Sequence, residues 1–313
     1  MTRTALAVVG PTASGKSALA LELAERFGGE IVSCDSMQIY RGMDVGTAKP
    51  TAEERARVPH HMLDIRDPDE PYSAADYGEE AESVAETVLS RGGLPIFCGG
   101  TGLYLSAVLT GRHDDAPPSD PALRAELSER GKTEDGRREL YDELLALDPA
   151  SAAATHPNNL RRVVRALEIY RLTGTPKSVF DRESREREAR FDCLILGLDF
   201  PERKDLYARI DRRVDGMMKD GLYDEAKRLW ERGYLAPKTT AGQAIGYRQF
   251  LPCFAGESSP EEAAEQIKLA TRRYAKRQLT WFRAQPGVVW LDAGASDLFT
   301  RAEATVSAWL SKQ

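Results

Sequence analysis

The first apolar run, residues 5–9 (Ala-Leu-Ala-Val-Val), leads straight into a glycine-rich turn. A short continuous apolar run bounded in this way predicts a strand buried on both faces. The period then changes. Ala18, Leu19, Leu21, Leu23 and Ala24 supply the apolar side of an amphipathic helix over residues 17–27. Residues 30–35 predict a second strand, 61–65 a short third, 74–89 a helix rich in Ala, Val and Glu, and 94–98 another buried strand. That strand is closed by Gly99-Gly100-Thr101-Gly102. Strands and helices in alternation predict an α/β fold with a parallel, doubly wound sheet.

Beyond residue 113 the pattern changes. Residues 114–121 (Asp-Asp-Ala-Pro-Pro-Ser-Asp-Pro) form a connector, and only helical patterns follow as far as residue 190. Strong breaks fall at Asp148-Pro149, His156-Pro157 and Gly174-Thr175-Pro176, and residues 182–190 are nearly all charged, a solvated helix or loop. An apolar strand returns at 191–198. Helices over 203–220, 222–232 and 260–283, a strand at 288–291 and a helix over 298–311 complete the chain. The expected organisation is an α/β core of residues 1–112 and 192–313, interrupted by an all-helical domain of residues 113–191.

Composition narrows the function classes. With 42% hydrophobic and 29% charged residues, the 313-residue chain is neither mostly disordered nor collagen-like. No run of 18 apolar residues exists, so no membrane helix is expected. The four cysteines are scattered without a C-x-x-C pair, which predicts free thiols in a reducing compartment, the cytoplasm. His60-His61 lacks a third ligand at a sensible spacing, so no metal centre is expected there. The net charge of −6 argues against indiscriminate coating of nucleic acid, but the charge is unevenly placed. Residues 267–283 hold six basic residues and no acid, leaving 37 basic against 49 acidic residues elsewhere. Arg272/Lys276 and Arg273/Arg277 are four apart, so their cations share a helix face and call for a nearby anion. RNA phosphate is the natural candidate, and a solvated basic face is the alternative. Tyr274, Gln278, Trp281 and Phe282 are interleaved with these cations. A second cluster, Arg161, Arg162 and Arg165, lies in the helical insertion.

The most specific chemical signal is Gly10-Pro11-Thr12-Ala13-Ser14-Gly15-Lys16-Ser17, a G-x-x-x-x-G-K-[ST] loop between a strand and a helix. Its backbone N–H groups and the helix N-terminus can cradle phosphate oxygens. Lys16 adds a cation, and the Ser17 hydroxyl can ligate Mg²⁺. The loop implies a di- or triphosphate ligand without specifying ATP. A nucleotide hydrolase would add an apolar strand ending in Asp. Here the strand at 94–98 ends in glycines, and the strand followed by an acid is the one ending near Asp35. Asp35 and Thr101, at the carboxyl ends of strands, are therefore expected to converge on the loop, with Asp35 either a metal-shell acid or a general base.

Seven blocks of sequence resemble one family, the bacterial tRNA dimethylallyltransferases, also called tRNA isopentenyltransferases. They are the loop 10–17, then residues 35–50 (Asp-Ser-Met-Gln-Ile-Tyr-Arg-Gly-Met-Asp-Val-Gly-Thr-Ala-Lys-Pro), 59–64 (Pro-His-His-Met-Leu-Asp) and 99–104 (Gly-Gly-Thr-Gly-Leu-Tyr). Further on come 162–168 (Arg-Val-Val-Arg-Ala-Leu-Glu), 243–248 (Gln-Ala-Ile-Gly-Tyr-Arg) and 276–283 (Lys-Arg-Gln-Leu-Thr-Trp-Phe-Arg). The resemblance implies a P-loop NTPase-like core and transfer of a dimethylallyl group from dimethylallyl diphosphate to N6 of adenine 37 of tRNA, with Mg²⁺ as cofactor and a monomeric enzyme. It implies Asp35 as catalytic base and Thr101 as a second catalytic residue, contacting the reacting nucleotide or phosphate. Gly10, Thr12, Ala13, Ser14, Gly15, Lys16, Ser17 and Arg213 would bind diphosphate, with Arg209 and Arg212 open as alternatives to Arg213. The anticodon stem-loop would meet Asp35, Ser36, Met37, Gln38, Thr101, Arg161, Arg162, Arg165, Gln243, Arg248, Arg272, Lys276, Arg277, Trp281 and Arg283. Arg161 stands where many family members carry Gln. The rival readings are an adenylate isopentenyltransferase, which needs no long basic helix, an ATP-dependent small-molecule kinase, and a non-catalytic RNA-binding protein with a vestigial loop.

Overall fold

The computed structural model describes residues 3–111, 117–186, 188–236 and 239–313. Residues 114–116 of the expected connector and Arg187 of the charged stretch lie outside the described residues. The chain forms two compact units, residues 1–111 with 190–313, and residues 112–189.

In the first unit the order is β1 (Thr4–Val9), α1 (Lys16–Phe27), β2 (Gly29–Ser33), α2 (Ala52–Arg57), β3 (His60–His61), α3 (Ala74–Ser90), β4 (Leu94–Gly99) and α4 (Gly102–Thr110). The second unit contains α5 (Pro121–Arg130), α6 (Glu134–Leu147), α7 (Pro149–Ala153), α8 (Leu160–Thr173) and α9 (Lys177–Glu186). The chain then returns to the first unit as β5 (Asp192–Asp199), α10 (Arg203–Lys219), α11 (Leu222–Glu231), α12 (Leu251–Phe254), α13 (Pro260–Arg283), β6 (Val288–Asp292) and α14 (Leu298–Leu310).

The six strands form one parallel sheet in the order β3-β2-β4-β1-β5-β6. This is the doubly wound sheet expected from the alternation. β1 shows why its sequence is a continuous apolar run. Ala5, Ala7 and Val9 enter the core on one face, and Leu6 and Val8 enter the core on the other. Because all strands run the same way, the turns after β1, β2 and β4 gather along one edge.

Three expectations shift. β2 ends at Ser33, so Asp35 stands on the following loop rather than on the strand. The third strand is only His60–His61, because Met62 and Asp64 adopt left-handed conformations that no ladder tolerates. Helices α2 and α4 were not anticipated: α2 is a single polar helix held by a Thr51/Glu54 capping box. α4 follows the glycine turn and, with five buried positions in nine residues, is too uniformly apolar to show a helical period.

The helical unit packs Leu127, Leu140, Leu144, Ala152, Val163, Val164, Ala166 and Leu167 into its own core. Glu168, fully buried, accepts from Arg124, Arg165 and the Asp120 N–H. That carboxylate ties the incoming chain to α8.

Candidate active site

The loop after β1 is shaped to hold an anion. Gly15, in the left-handed region (φ 92°), precedes α1, and no side chain caps that helix. The Thr12 N–H donates to Gln278 Oε1 (2.9 Å) and the Ser14 N–H to the Pro11 carbonyl (3.3 Å). Among the described residues, the N–H groups of Ala13, Gly15, Lys16 and Ser17 meet no acceptor. Ser14 Oγ is buried and also without a partner among the described residues. Four open N–H groups at a helix N-terminus form an oxyanion cradle. Arg209 of α10 braces the loop by donating Nε to the Ala13 carbonyl (2.9 Å) while its guanidinium lies over Phe200.

An open cleft of about 620 Å³ runs along this loop. Lys16 and Ser17 lie on one side, residues 48–51 and His60 on another, and Arg209, Arg212 and Arg213 at the α10 wall. Burial pushes the Lys16 ammonium below the ordinary lysine pKa; Arg213 adds to this, while Asp35 opposes it. Burial likewise lowers Arg213, opposed by Asp35. The Cys98 thiol is pushed up to about 11 by burial against the pull of Lys16 and a Ser17 hydrogen bond, so it stays neutral at neutral pH. Two desolvated cations thus share the negative charge of Asp35, and the cradle carries a surplus of positive charge that a polyanion would satisfy. Of the three candidate arginines, Arg209 props the loop and Arg212 turns back to its own helix carbonyl at Ala208 (3.3 Å). Arg213 is the one coupled to both Lys16 and Asp35.

Asp35 reaches the cradle because the ends of β2 and β4 are stitched together. The Cys34 N–H donates to the Cys98 carbonyl (2.8 Å), and the Thr101 N–H donates to the Cys34 carbonyl (3.1 Å). This approach requires Gly99, whose Cβ would lie 2.0 Å from the Cys34 oxygen. Asp35 Oδ1 accepts the Met37 N–H (2.9 Å), an Asx-type turn that orients the carboxylate. Thr101 Oγ1 accepts the Ser36 N–H (3.0 Å). The structure therefore brings Asp35, Ser36 and Thr101 together, with the Asp35 carboxylate within electrostatic reach of Lys16 and Arg213. Gln38 is occupied otherwise: it accepts from Ser33 Oγ (2.8 Å) and donates to the carbonyls of Thr47 (3.2 Å) and Ala48 (3.3 Å), bracing its own loop.

Two further residues build this centre, Tyr274 and Gln278 on α13. Tyr274 lies beside the Thr101 and Gln278 side chains, and its hydroxyl is held above the ordinary tyrosine pKa by burial and by Asp35. In the sequence both stand simply as residues spaced between cations. The available signal was a lone amide on the buried stripe that includes Ala275, Leu279 and Phe282.

The rest of α13 corrects the reading of its cations. Arg272 forms a bidentate pair with Asp211, and Lys268 pairs with Asp215 and Glu265. The anion expected opposite these residues is supplied by α10, whose Asp211 and Asp215 are also four apart. Arg283 pairs with Asp199. Trp281 lies against Gly102, where a Cβ would come within 2.2 Å of its ring. Arg273, Lys276 and Arg277 are exposed and have no carboxylate in ion-pair range among the described residues. Gln243 and Arg248 are exposed on successive 3₁₀ turns, Ala241–Gln243 and Arg248–Phe250. In the helical unit Arg161 and Arg162 are exposed on α8, whereas Arg165 is held by Glu168 and the carbonyls of Pro117 and Pro118.

A family model described as IPP transferase matches residues 38–285. The tRNA dimethylallyltransferase of Geobacter sulfurreducens is 49% identical over 295 residues, 94% of this chain and 94% of that one. Among solved structures, the full-length tRNA isopentenylpyrophosphate transferase of Bacillus halodurans matches with a TM-score of 0.73 at 43% identity, over 99% of this chain and 97% of that one. A eukaryotic dimethylallyltransferase acting on tRNA matches with a TM-score of 0.84 at 31% identity, over 99% of this chain and 80% of that one. With a family match over most of its length and close relatives aligned nearly end to end, the chain belongs to the IPP transferase family.

Proposed function

We propose that this protein transfers the dimethylallyl group of dimethylallyl diphosphate to N6 of adenine 37 in tRNA and releases diphosphate. The observation that carries this reading is the cradle of open N–H groups after β1, with Lys16 and Arg213 lining the same cleft. A cradle of that kind suits a diphosphate that must leave with its bonding electrons. As the allylic C–O bond breaks, charge grows on the departing oxygens. The open N–H groups of Gly15, Lys16 and Ser17, with Lys16 and Arg213, stabilise it. The lone pair of N6 forms the new C–N bond. Asp35, fixed by the Met37 N–H, accepts the proton that N6 loses. Thr101 and Ser36 border the same point and orient the exocyclic amine. Adenine must leave its stack to enter, so base flipping is part of the reading.

Magnesium fits the donors present. No group of three His, Cys, Asp or Glu side chains is placed to hold a metal among the described residues. Magnesium bound with a diphosphate needs only one or two protein ligands, the rest being phosphate oxygens and water. The Ser17 hydroxyl, which lines the cleft, would be the protein ligand of that set, and a bound ion would neutralise further charge on the leaving diphosphate.

For RNA, the helical unit presents Arg161 and Arg162, and α13 presents Arg273, Lys276 and Arg277, as free phosphate contacts. Lys276→Ala and Arg277→Ala should each reduce the salt slope of tRNA binding by about one ion, whereas Arg272→Ala, whose charge Asp211 neutralises, should leave the slope unchanged. Equal slopes for all three variants would refute this division. No helix among the described residues is long and apolar enough to cross a membrane. The reading takes the protein as a cytoplasmic monomer.

The deciding assay supplies labelled dimethylallyl diphosphate and Mg²⁺ with either tRNA or free AMP. Label should enter tRNA at adenine 37 and leave AMP untouched. Transfer to AMP alone would make the protein an adenylate prenyltransferase, and turnover of ATP without prenyl transfer would make it a kinase.

A further inference from the structure

We infer that Gln278 is a positioning residue that sets the spacing between the diphosphate cradle and the turn that receives the nucleophile. The inference rests on the transfer reaction proposed above. Gln278 is 5% exposed. Its Oε1 accepts the Thr12 N–H at 2.9 Å, and its Nε2 donates to the Gly100 carbonyl at 3.0 Å. The partners dictate this orientation, since an N–H must meet the oxygen and a carbonyl must meet the NH₂.

Thr12 belongs to the cradle after β1, and Gly100 to the turn after β4. The clasp therefore ties the loop that holds the leaving group to the turn carrying Thr101. Gly100 is shaped for it, because a Cβ there would lie 2.0 Å from Nε2. Tyr274, four residues earlier on the same helix face, lies beside Thr101 and Gln278. One helix thus grips both sides of the reaction centre.

A purely packing role is a poor explanation for an amide here. The neighbouring buried positions of α13 are Ala275, Leu279 and Phe282, and an aliphatic side chain would fill the same space. It would also free the Thr12 N–H for a phosphate oxygen. Instead this N–H serves the clasp, at the expense of one donor to the ligand. Such an arrangement favours alignment over raw affinity. In an in-line displacement, small errors in the relative position of nucleophile and leaving group reduce rate steeply while each substrate still binds.

The test is Gln278→Leu, similar in bulk but unable to donate or accept. kcat for tRNA prenylation should fall at least ~10-fold, while KM for both substrates and the Kd for inorganic diphosphate stay near wild type. Adding Thr101→Val to Gln278→Leu should reduce kcat by less than the two separate effects multiplied, because both act through the same turn. Wild-type kcat in a folded Gln278→Leu protein would overturn the brace, as would independent effects in the double variant or a matching rise in the diphosphate Kd. A wild-type protein unable to prenylate tRNA would overturn the transfer reading instead. Should Gln278→Leu not fold, Gln278→Glu keeps the acceptor for Thr12, loses the donor to Gly100, and is judged by the same criteria.

Discussion

Asp35→Asn should lower the prenylation rate by at least ~10²-fold, the usual contribution of a positioned general base. Asparagine is the informative replacement. It keeps an oxygen to accept the Met37 N–H, so the turn that aims the side chain survives. What it loses is the basicity needed to take a proton from N6. The charge balance gives a second, opposite expectation. Asp35 is the carboxylate that opposes the desolvation of both Lys16 and Arg213. Removing it leaves these cations less compensated, so dimethylallyl diphosphate should bind at least as tightly as before. The signature is a collapse of kcat with KM for the donor unchanged or lowered, and with tRNA affinity retained. Steady-state kinetics with tRNA at saturation measures it. A variant within tenfold of wild-type turnover would remove Asp35 from the base role, and a large rise in donor KM would place it in ground-state binding instead.

The α/β core and its strand–helix alternation were legible because each segment's apolar pattern is dictated by the faces it buries. β1 is apolar throughout because both its faces enter cores. The phosphate loop was legible for a similar reason: glycine, lysine and serine at that spacing answer a requirement of the backbone itself. Less visible was everything decided by contact between distant segments. That Arg272 spends its charge on Asp211, while Lys276 remains free, depends on which face of α13 meets α10. Gln278 and Tyr274 were hidden among cations that looked more important. The signal that would have found them is a polar side chain at a position where helical spacing demands an apolar one. The same rule picks out Glu225, an acid on the buried stripe Leu222, Ala226 and Leu229 of α11.

Glu225 leads to the largest expected loss of stability. Its carboxylate is 3% exposed and accepts from three successive backbone N–H groups, Asp44 (3.0 Å), Val45 (2.8 Å) and Gly46 (3.0 Å). The hydroxyl of buried Tyr247 adds a fourth donor at 2.7 Å. No secondary structure meets these three N–H groups, so the carboxylate acts as their shared acceptor. Leucine at this position would bury the donors unpaired. At about 1–3 kcal/mol for each unsatisfied group, and allowing for relaxation, Glu225→Leu should destabilise the protein by more than ~3 kcal/mol. Tm should then drop by roughly 10 °C at 2–4 °C per kcal/mol for a unit of this size. Tyr247→Phe removes one donor and leaves the acceptor in place, so its loss should be near ~1 kcal/mol. The segment concerned runs from Asp35 to the cleft wall at residues 48–51, so loosening it also blurs the site. Glu225→Leu should therefore lose kcat even well below its lowered Tm, whereas Tyr247→Phe should stay close to wild type there. Thermal unfolding together with kinetics at a permissive temperature checks both. A shift of Tm below ~2 °C for Glu225→Leu, less than 1 kcal/mol on the same scale, would mean that other groups carry this loop.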